Sequence, residues 1–311
     1  MHSTRKQVLD AVADGPVSGP DLAADLDISR AAVWNHIEAL REEGFTIDSG
    51  PDGYTLEAVP EFGGPAIEYG LDAPLDVEYH DEIGSTNERA RELAAAGRSD
   101  TVVVADRQTG GRARLDREWV SPSGGIWASI LIRPEVPPAR APLYTLVAAV
   151  ATARAARHCG ADATIKWPND VRVGGRKLAG ILTEMEGEAD RISWLVVGIG
   201  LNANVDPADL PGDQPATSLQ SEVGTVDRRA VTQHLLEEFW TLSTARPETV
   251  MDGWRDLSST LGKRVRVDTP DGRIVGEAVD ITVPGTLIVE TDTGTREVSA
   301  GDCEHLRPAD S

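Results

Sequence analysis

Residues 166–170 (KWPND) and 176–182 (RKLAGIL) carry more information about the fold and function of this chain than any other stretch. The chain has only four lysines, and two of them, Lys166 and Lys177, lie here. Lysine is a compact point charge suited to a carboxylate or phosphate oxygen, so this placement indicates a specific chemical need. The alternative is a pair of ordinary surface lysines beside a turn. The Trp, Pro, Asn, Asp and Gly residues around them argue against it.

The composition indicates a soluble protein of more than one domain. The sequence of 311 residues has a formal net charge of −21 and shows no apolar run long enough to span a bilayer. Without a signal peptide or a disulfide framework, Cys159 and Cys303 favour a reducing cytoplasm. The acidic excess suits either an enzyme with basic partners or adaptation to high salt. We prefer adaptation to high salt, because salt screens dense surface carboxylates.

The first 58 residues are predicted to form a winged helix-turn-helix. Apolar residues at helical spacing predict a helix over residues 5–13, and Ser18 and Ser29 are suited to cap two further helices. A turn at residues 50–53 then joins two strands of the wing. The third helix of such a unit enters the major groove of DNA. The predicted DNA-contacting residues are Ser29, Arg30, Asn35 and His36.

The charge of this unit is unusual for a DNA-binding domain. Residues 1–58 hold four basic residues, which are Arg5, Lys6, Arg30 and Arg41, against eleven acidic ones. The basic surface expected of a DNA binder is therefore absent. A small helical interaction module is the alternative, but the helical pattern favours DNA binding, and high salt weakens the contribution of charge in any case.

Three further segments are predicted from changes in composition. Residues 59–74 are rich in Gly and Pro and indicate a linker, residues 75–260 alternate between helical and strand patterns, and residues 261–311 indicate a small β-barrel. The α/β segment is predicted to contain strands at 75–79, 101–106, 125–132, 181–185 and 194–199, and helices at 87–96, 143–158, 228–242 and 248–257.

Three more motifs are candidates for ligand binding. Residues 84–87 (GSTN) precede a helix, where they either cap it or offer hydroxyl groups to a ligand. Residues 108–119 (QTGGRARLDREW) form a loop rich in Gly and Arg, which is suited to phosphate or carboxylate. Gly198 and Gly200 lie in a buried strand, where they serve either sheet packing or the close approach of a ligand to the backbone.

Together these motifs resemble the bifunctional biotin protein ligase family, whose members also repress biotin genes. The segments that match its motifs in order are 84–87, 108–119, 166–170, 176–182 and 198–202, with 29–37 similar to its recognition helix and 303–307 to its end strand. The resemblance implies an α+β multidomain fold. Its parts are a winged helix-turn-helix at 1–58, a class II synthetase-like catalytic domain at 75–260 and an SH3-like barrel at 261–311.

The resemblance also implies a two-step reaction. ATP and biotin, with Mg²⁺, form biotinyl-5′-AMP and pyrophosphate, and a lysine of a carboxylase carrier domain then takes the biotin. Lys177, Arg112 and Arg114 are the implied catalytic residues, because they would neutralise the repelling carboxylate and phosphates. The implied partners are the carrier domain, operator DNA and a second copy of the chain in a homodimer.

The family implies the remaining site residues by position. The implied biotin contacts are Ser85, Thr86, Asn87, Gln108, Arg112, Ala113, Arg114, Lys177, Gly198 and Gly200. The implied ATP contacts are Trp119, Lys166, Asp170, Asn202 and Arg307, with Asp170 also a candidate Mg²⁺ ligand. The chain departs from the Gly-Arg-Gly-Arg-x-Gly loop of the family at Ala113 and Asp116, so the loop is expected to order differently.

Three alternatives to a ligase that is also a repressor remain. The first is a ligase whose acidic N-terminal unit no longer regulates genes. The second is a transcription factor whose central domain only senses a small acid, against which the intact Lys177, Arg112 and Arg114 argue. The third is a lipoate-type ligase, against which residues 166–170 and the C-terminal barrel argue.

Overall fold

The chain divides into two compact units, Met1–Leu71 and Asp72–Ser311. The computed structural model describes residues 3–114, 117–210, 215–270 and 272–306. None of the helices in these ranges is long and apolar enough to cross a membrane.

The first unit is a winged helix-turn-helix. Its elements are the helices α1 (Ser3–Ala13), α2 (Gly19–Asp25), α3 (Arg30–Glu42) and α4 (Gly64–Glu68) and the antiparallel strands β1 (Thr46–Gly50) and β2 (Gly53–Ala58). Both predicted caps are present, since Ser18 accepts a hydrogen bond from the Asp21 amide and Ser29 accepts one from the Ala32 amide. Asp27 adopts a positive φ of 52° in the turn between α2 and α3.

The segment predicted as a linker is mostly part of the first unit. Val59 and Tyr69 pack against the core that α1, α2 and α3 form, and Ala66 and Ile67 of α4 are fully buried. The division between the units falls after Leu71. We therefore propose Leu71, and not the interval 59–74 as a whole, as the boundary between the first unit and the rest.

The second unit is built on a seven-stranded sheet. Its strands are β3 (Asp76–Ile83), β4 (Thr101–Gln108), β5 (Ile126–Ile132), β6 (Ala163–Lys166), β7 (Asp170–Val173), β8 (Arg176–Gly187) and β9 (Ile192–Leu201). Their order is β3-β4-β5-β9-β8-β7-β6, with β3 parallel to β4 and the other pairs antiparallel. Strands β6 and β7 were not predicted, because Pro168 and Asn169 between them indicate only a turn.

Five α-helices are described in the second unit. They are α5 (Thr86–Ala95), α6 (Ala141–His158), α7 (Leu219–Val223), α8 (Arg228–Ser243) and α9 (Pro247–Leu257). Of these, α5, α6 and α9 pack on this sheet and α8 packs on α6. The alanine-rich α6 is almost wholly buried and packs on β8, α8 and α9. Helix α5 packs on β4, β5 and β9 through Ala90 and Ala94, so its first residues lie beside the central strands. This arrangement places the GSTN motif at the candidate site.

A small β-domain completes the second unit, as predicted. It consists of the antiparallel strands β10 (Arg264–Thr269), β11 (Gly272–Thr282), β12 (Thr286–Thr291), β13 (Gly294–Val298) and β14 (Asp302–His305), in the order β13-β12-β11-β10-β14. Trp167 donates its indole N–H to the Gly285 carbonyl at 3.0 Å, and Arg255 binds the Asp280 carboxylate at 2.8 Å. These bonds join the β-domain directly to the sheet and to α9.

Candidate functional site

A cavity of about 350 Å³ in the second unit gathers most of the predicted site residues. Residues of β8 and β9, the start of α5 and the loop after β4 line it. The predicted residues that line it are Ser85, Thr86, Asn87, Gln108, Arg112, Ala113, Arg114, Trp119, Asp170, Lys177, Gly198, Gly200 and Asn202. Segments that are far apart in sequence therefore meet in one chamber.

Neutral polar groups at the start of α5 are bonded to the loop after β4. Gln108 Oε1 accepts hydrogen bonds from the Thr86 amide at 2.8 Å and from the Thr86 hydroxyl at 3.0 Å. Gln108 Nε2 donates to Ser121 Oγ at 2.9 Å, and Ser121 Oγ donates to the Trp119 carbonyl at 3.0 Å. The Thr86 amide fixes the orientation of the Gln108 amide, because that N–H can only donate. We call Thr86, Asn87, Gln108 and Ser129 the polar cluster.

Asn87 lies across three strands of the sheet. Its Nδ2 donates to Glu184 Oε2 at 2.6 Å, and its Oδ1 lies 2.6 Å from the hydroxyl of Ser129. A Cβ atom at Gly198 would overlap the Asn87 amide, so only glycine fits beneath it. Glu184 and Ser129 lie outside the predicted motifs. Strand register could have found both, because Ser129 and Leu182 pair with Gly198. Glu184 then lies two residues beyond Leu182, on the same face of β8.

Trp119 lies over the second glycine of β9. A Cβ at Gly200 would overlap the indole, and one at Gly180 would lie 3.1 Å from its Cζ3. The indole Nε1 is buried without a hydrogen-bond partner in the described residues. These glycines thus make room for protein side chains, Asn87 and Trp119. Both glycines also line the cavity, so their contact with a ligand stays a prediction.

Lys177 belongs to a charged cluster, which we define as Arg114, Asp170 and Lys177. Its Nζ lies 2.6 Å from Asp170 Oδ1 and 5.1 Å from the centroid of the Trp119 ring. Burial alone would raise the pKa of Asp170, but the neighbouring Lys177 and Arg172 outweigh it and lower that pKa. Asp170 is therefore ionised at neutral pH and holds Lys177 in the cavity.

The arginine-rich loop is fastened at both sides of the cavity. Arg112 binds Glu88 of α5 at 2.7 Å. Arg114 donates to Asn169 Oδ1 and to the Gly301 carbonyl of the β-domain, each at 2.8 Å. Ala113 is not among the positive-φ residues of the described ranges, so the loop closes without the conformation that glycine would favour. Asp116 lies outside the described residues.

One predicted ATP contact, Lys166, is not among the described residues that line the cavity. Lys166 is only 7% exposed. It ends β6, directly opposite Asp170 of β7, and burial and then Arg172 lower its pKa. Lys166 therefore ends a strand of the sheet and does not lie in the predicted turn, while its contact with ATP stays a prediction. Arg307 lies outside the described residues.

A resident metal site finds little support among the residues that the structure describes. They contain no group of three or more His, Cys, Asp or Glu that could hold a metal ion. Asp170 is already paired with Lys177 and with Arg172, the latter at 3.2 Å. Asn202 offers a further oxygen, because its Nδ2 donates to the Thr217 carbonyl at 2.9 Å while its buried Oδ1 has no partner in the part of the chain that the structure describes. This donor set suits Mg²⁺ that arrives with nucleotide phosphates better than a closed protein cage.

The predicted DNA-contacting residues lie at the start of α3. Ser29 caps this helix, Arg30 and Asn35 are exposed, and His36 is partly buried. Trp34 is 56% exposed on the same face and was not predicted. Its position follows from helical spacing, since Trp34 is one turn beyond Arg30.

Comparison with known proteins extends these observations. Family models match a biotin/lipoate A/B protein ligase at residues 81–202, a biotin protein ligase C-terminal domain at 260–306 and a helix-turn-helix domain at 4–55. The bifunctional ligase/repressor BirA of Bacillus subtilis is 37% identical over 303 residues, 93% of each chain. That of Escherichia coli is 31% identical over 284 residues, 88% of each chain.

Solved structures of biotin protein ligases are similar to this chain as well. Biotin protein ligase from Aquifex aeolicus in complex with biotin and ATP aligns with a TM-score of 0.64 and 27% identity. The alignment covers 74% of this chain and 99% of that one. The sequence similarities reach both units, and the structural one covers about three quarters of the chain.

Proposed function

The chain belongs to the family of bifunctional biotin ligase/repressor proteins, and on this premise we propose that it activates biotin with ATP and transfers it to a carrier lysine. The acceptor is a lysine of a carboxylase carrier domain. The observation that carries the proposal is the single cavity in which a neutral polar cluster and a charged cluster lie together. A molecule with a urea ring at one end and a carboxylate at the other matches both.

The first step is nucleophilic attack of the biotin carboxylate on the α-phosphorus of ATP, which expels pyrophosphate. Two anions must be held together, and the cavity supplies cations for this. Lys177 would exchange its contact with Asp170 for a contact with the biotin carboxylate. Arg112 and Arg114 would stabilise the charge that develops on the phosphate oxygens. Holding both reactants in one chamber lowers the barrier further by fixing their orientation.

The second step is attack of the carrier lysine amine on the carbonyl carbon of the mixed anhydride, with AMP as the leaving group. We assign no general base to this step among the described residues. The loop at residues 108–119 would shield the anhydride from water, and its bonds to Asn169 and Gly301 support that role. Water exclusion also strengthens the charge interactions inside the cavity.

The nucleotide part of the site rests on Trp119, Asp170 and Asn202. An indole face can stack on a base, and the buried Nε1 of Trp119 and Oδ1 of Asn202 are a donor and an acceptor without a partner among the described residues. Mg²⁺ bound with ATP would neutralise phosphate charge, with Asp170 and Asn202 as the available protein oxygens.

A direct assay tests the ligase proposal. Purified protein with ATP, Mg²⁺ and radiolabelled biotin, in concentrated KCl, is expected to release pyrophosphate and to label a purified biotin carrier domain. The matched reaction contains lipoate in place of biotin. Labelling with lipoate and not with biotin would overturn the assignment, and labelling with neither would leave only a sensing role for the cavity.

We also propose that the first unit represses transcription from biotin genes when biotinyl-5′-AMP is bound. Its helix-turn-helix and the repressor function in the names of relatives support this. Biotinyl-5′-AMP is expected to increase binding to DNA upstream of biotin genes in a gel-shift assay. An unchanged shift would remove the regulatory role and leave the ligase.

Three finer expectations accompany the proposal. The free thiols of Cys159 and Cys303 favour a cytoplasmic location, and the acidic composition favours work at high salt. A homodimer through the central sheet is expected from the family. Sedimentation with and without biotinyl-5′-AMP tests the homodimer.

A further inference from the structure

We propose that Glu184 is a positioning residue for biotin recognition, which it performs by fixing the amide of Asn87. The proposal rests on the proposed ligase function. Glu184 lies on β8, and its carboxylate accepts a hydrogen bond from Asn87 Nδ2 at 2.6 Å. It belongs to none of the five sequence motifs from which the site was predicted.

The orientation of an asparagine amide depends on its partners. An ionised carboxylate can only accept hydrogen bonds, so the NH₂ group of Asn87 must face Glu184. The opposite end, Oδ1, then lies 2.6 Å from the hydroxyl of Ser129. Ser129 is completely buried, so it cannot reach a ligand itself. Glu184 therefore sets which end of the Asn87 amide faces Ser129 and, through it, the rest of the polar cluster.

The geometry of the sheet allows no easy alternative. Strand register places Ser129 on β5, Gly198 on β9 and Leu182 on β8 in one row, and Asn87 lies over the middle position. The Leu182 carbonyl lies 3.4 Å from Asn87 Nδ2, on the same side as Glu184. Both acceptors on this side favour the same amide orientation.

The orientation passes on to the predicted urea-binding groups. The hydroxyl of Ser129 lies 2.7 Å from Thr86 Oγ1, which lies 3.0 Å from Gln108 Oε1. A reversed Asn87 amide would present N–H to Ser129 and change the donors and acceptors along this row. Biotin affinity should suffer, whereas the charged cluster that faces ATP has no member in the row.

Arg91 provides the control. It pairs with Glu184 at 3.5 Å and with Glu88 at 3.7 Å, so it contacts the same carboxylate without touching Asn87 in any bond described. If the ion pair were what mattered, removal of Arg91 would reproduce the loss of Glu184. If the bond to Asn87 matters, it would not.

The test measures biotin affinity in the full chain by calorimetry without ATP, and KM and kcat by pyrophosphate release. Glu184→Gln removes the charge but keeps the shape, and of the two obligate acceptors described it leaves only the Leu182 carbonyl, at the longer distance of 3.4 Å, to oppose reversal of Asn87. We expect roughly a tenfold weaker biotin affinity, the loss typical when a charge-assisted hydrogen bond becomes a neutral one. In Glu184→Gln, the KM for ATP and kcat should change by less than about twofold, because neither depends on the bond between Glu184 and Asn87. In Arg91→Gln, biotin affinity should also change by less than about twofold, because that bond is intact.

A double-mutant cycle separates positioning from direct contact. Asn87→Ala should weaken biotin binding at least as much as Glu184→Gln, and the double variant should be no worse than Asn87→Ala alone. The proposal would be overturned if the losses of biotin affinity from Asn87→Ala and Glu184→Gln multiplied in the double variant. It would also be overturned if Arg91→Gln lost as much biotin affinity as Glu184→Gln. An unchanged affinity in Glu184→Gln with an unchanged melting temperature would overturn it as well. Absence of biotin binding in the wild type would instead reject the proposed function itself.

Discussion

The cavity of the second unit and the exposed face of α3 are both proposed to meet phosphate groups, but they hold their positive charge in opposite ways. In the cavity, Lys177 lies 2.6 Å from Asp170 and beside an indole ring. In the first unit, Arg5 pairs with Glu43, and Arg41 pairs with Glu38 at 2.6 Å. Arg30 is the basic residue left on the exposed start of α3.

The two regions differ in how strongly solvent and salt screen their positive charges. Enclosed cations act at a low effective dielectric, so each one is strong and salt weakens it little. Exposed cations are screened, and in concentrated salt a basic surface contributes little to binding. A chain with a net charge of −21 can thus work with enclosed cations and without a basic surface.

Replacement of Lys177 should show the largest effect. Lys177→Gln is expected to lower the rate of biotin-dependent pyrophosphate release by roughly 10²–10³-fold, the loss typical of one donor that stabilises transition-state charge. Lys263→Gln is the matched control, because Lys263 is exposed in the turn before β10. Normal turnover in Lys177→Gln would mean that Lys177 is not the cation that stabilises the transition state, and the contrast with the exposed face of α3 would no longer hold.

A methyl group at Gly200 should sharpen the account of how the cavity is filled. In Gly200→Ala the Cβ meets the Trp119 indole, and overpacking of this kind is expected to raise the KM for ATP by about tenfold. Gly84→Ala is the control, because its Cβ would meet open space. If the losses from Gly200→Ala and Trp119→Ala multiply in the double variant, Gly200 acts on the ligand and not through Trp119.

Acid should destabilise the fold through His305, which is partly buried and lies near cations. Burial, and then Lys166 and Arg172, lower the pKa of His305 from 6.5 to about 4. The unfolded chain therefore binds a proton that the folded chain refuses, so stability falls as the pH drops from 6.5 towards 4. His305→Gln should flatten this dependence and lessen the drop in melting temperature by a few degrees, whereas an unchanged profile would mean that the fold does not hold His305 in its neutral form.

The smallest effect is expected on the open surface of α3. If Arg30 contacts a phosphate, Arg30→Gln should reduce the slope of log K against log salt by about one for DNA upstream of biotin genes. Arg41→Gln is the control, since Arg41 is bonded to Glu38 and to the Ile47 carbonyl. Equal slopes for the wild type and Arg30→Gln would show that α3 binds without ionic contacts.

Pattern predicted the elements well, because capping and alternation are local. Ser18 and Ser29 cap helices where expected, and the β-domain follows from alternating strands. Strand β7 was not predicted, because it has only four residues and begins shortly after Pro168, which indicates a turn.

The sequence pattern did not predict the side-chain positions in the site that depend on tertiary contacts. Sequence alone cannot say that Asn87 and Trp119 lie over Gly198 and Gly200, because these contacts join distant segments. Lys166 lies in a motif, yet its strand buries it against β7. The motifs located the cavity, and strand register then showed which residues face it.

The join between the β-domain and the sheet bears on how such genes can change over evolution. Loss of the coding region up to Leu71 would remove a unit with its own core. Loss of the region after residue 260 would leave the Trp167 N–H without its Gly285 acceptor, at a cost of about 1–3 kcal/mol, and Arg114 without Gly301. A single deletion can therefore remove the first unit during evolution, whereas the β-domain and the rest of the second unit have to be kept together.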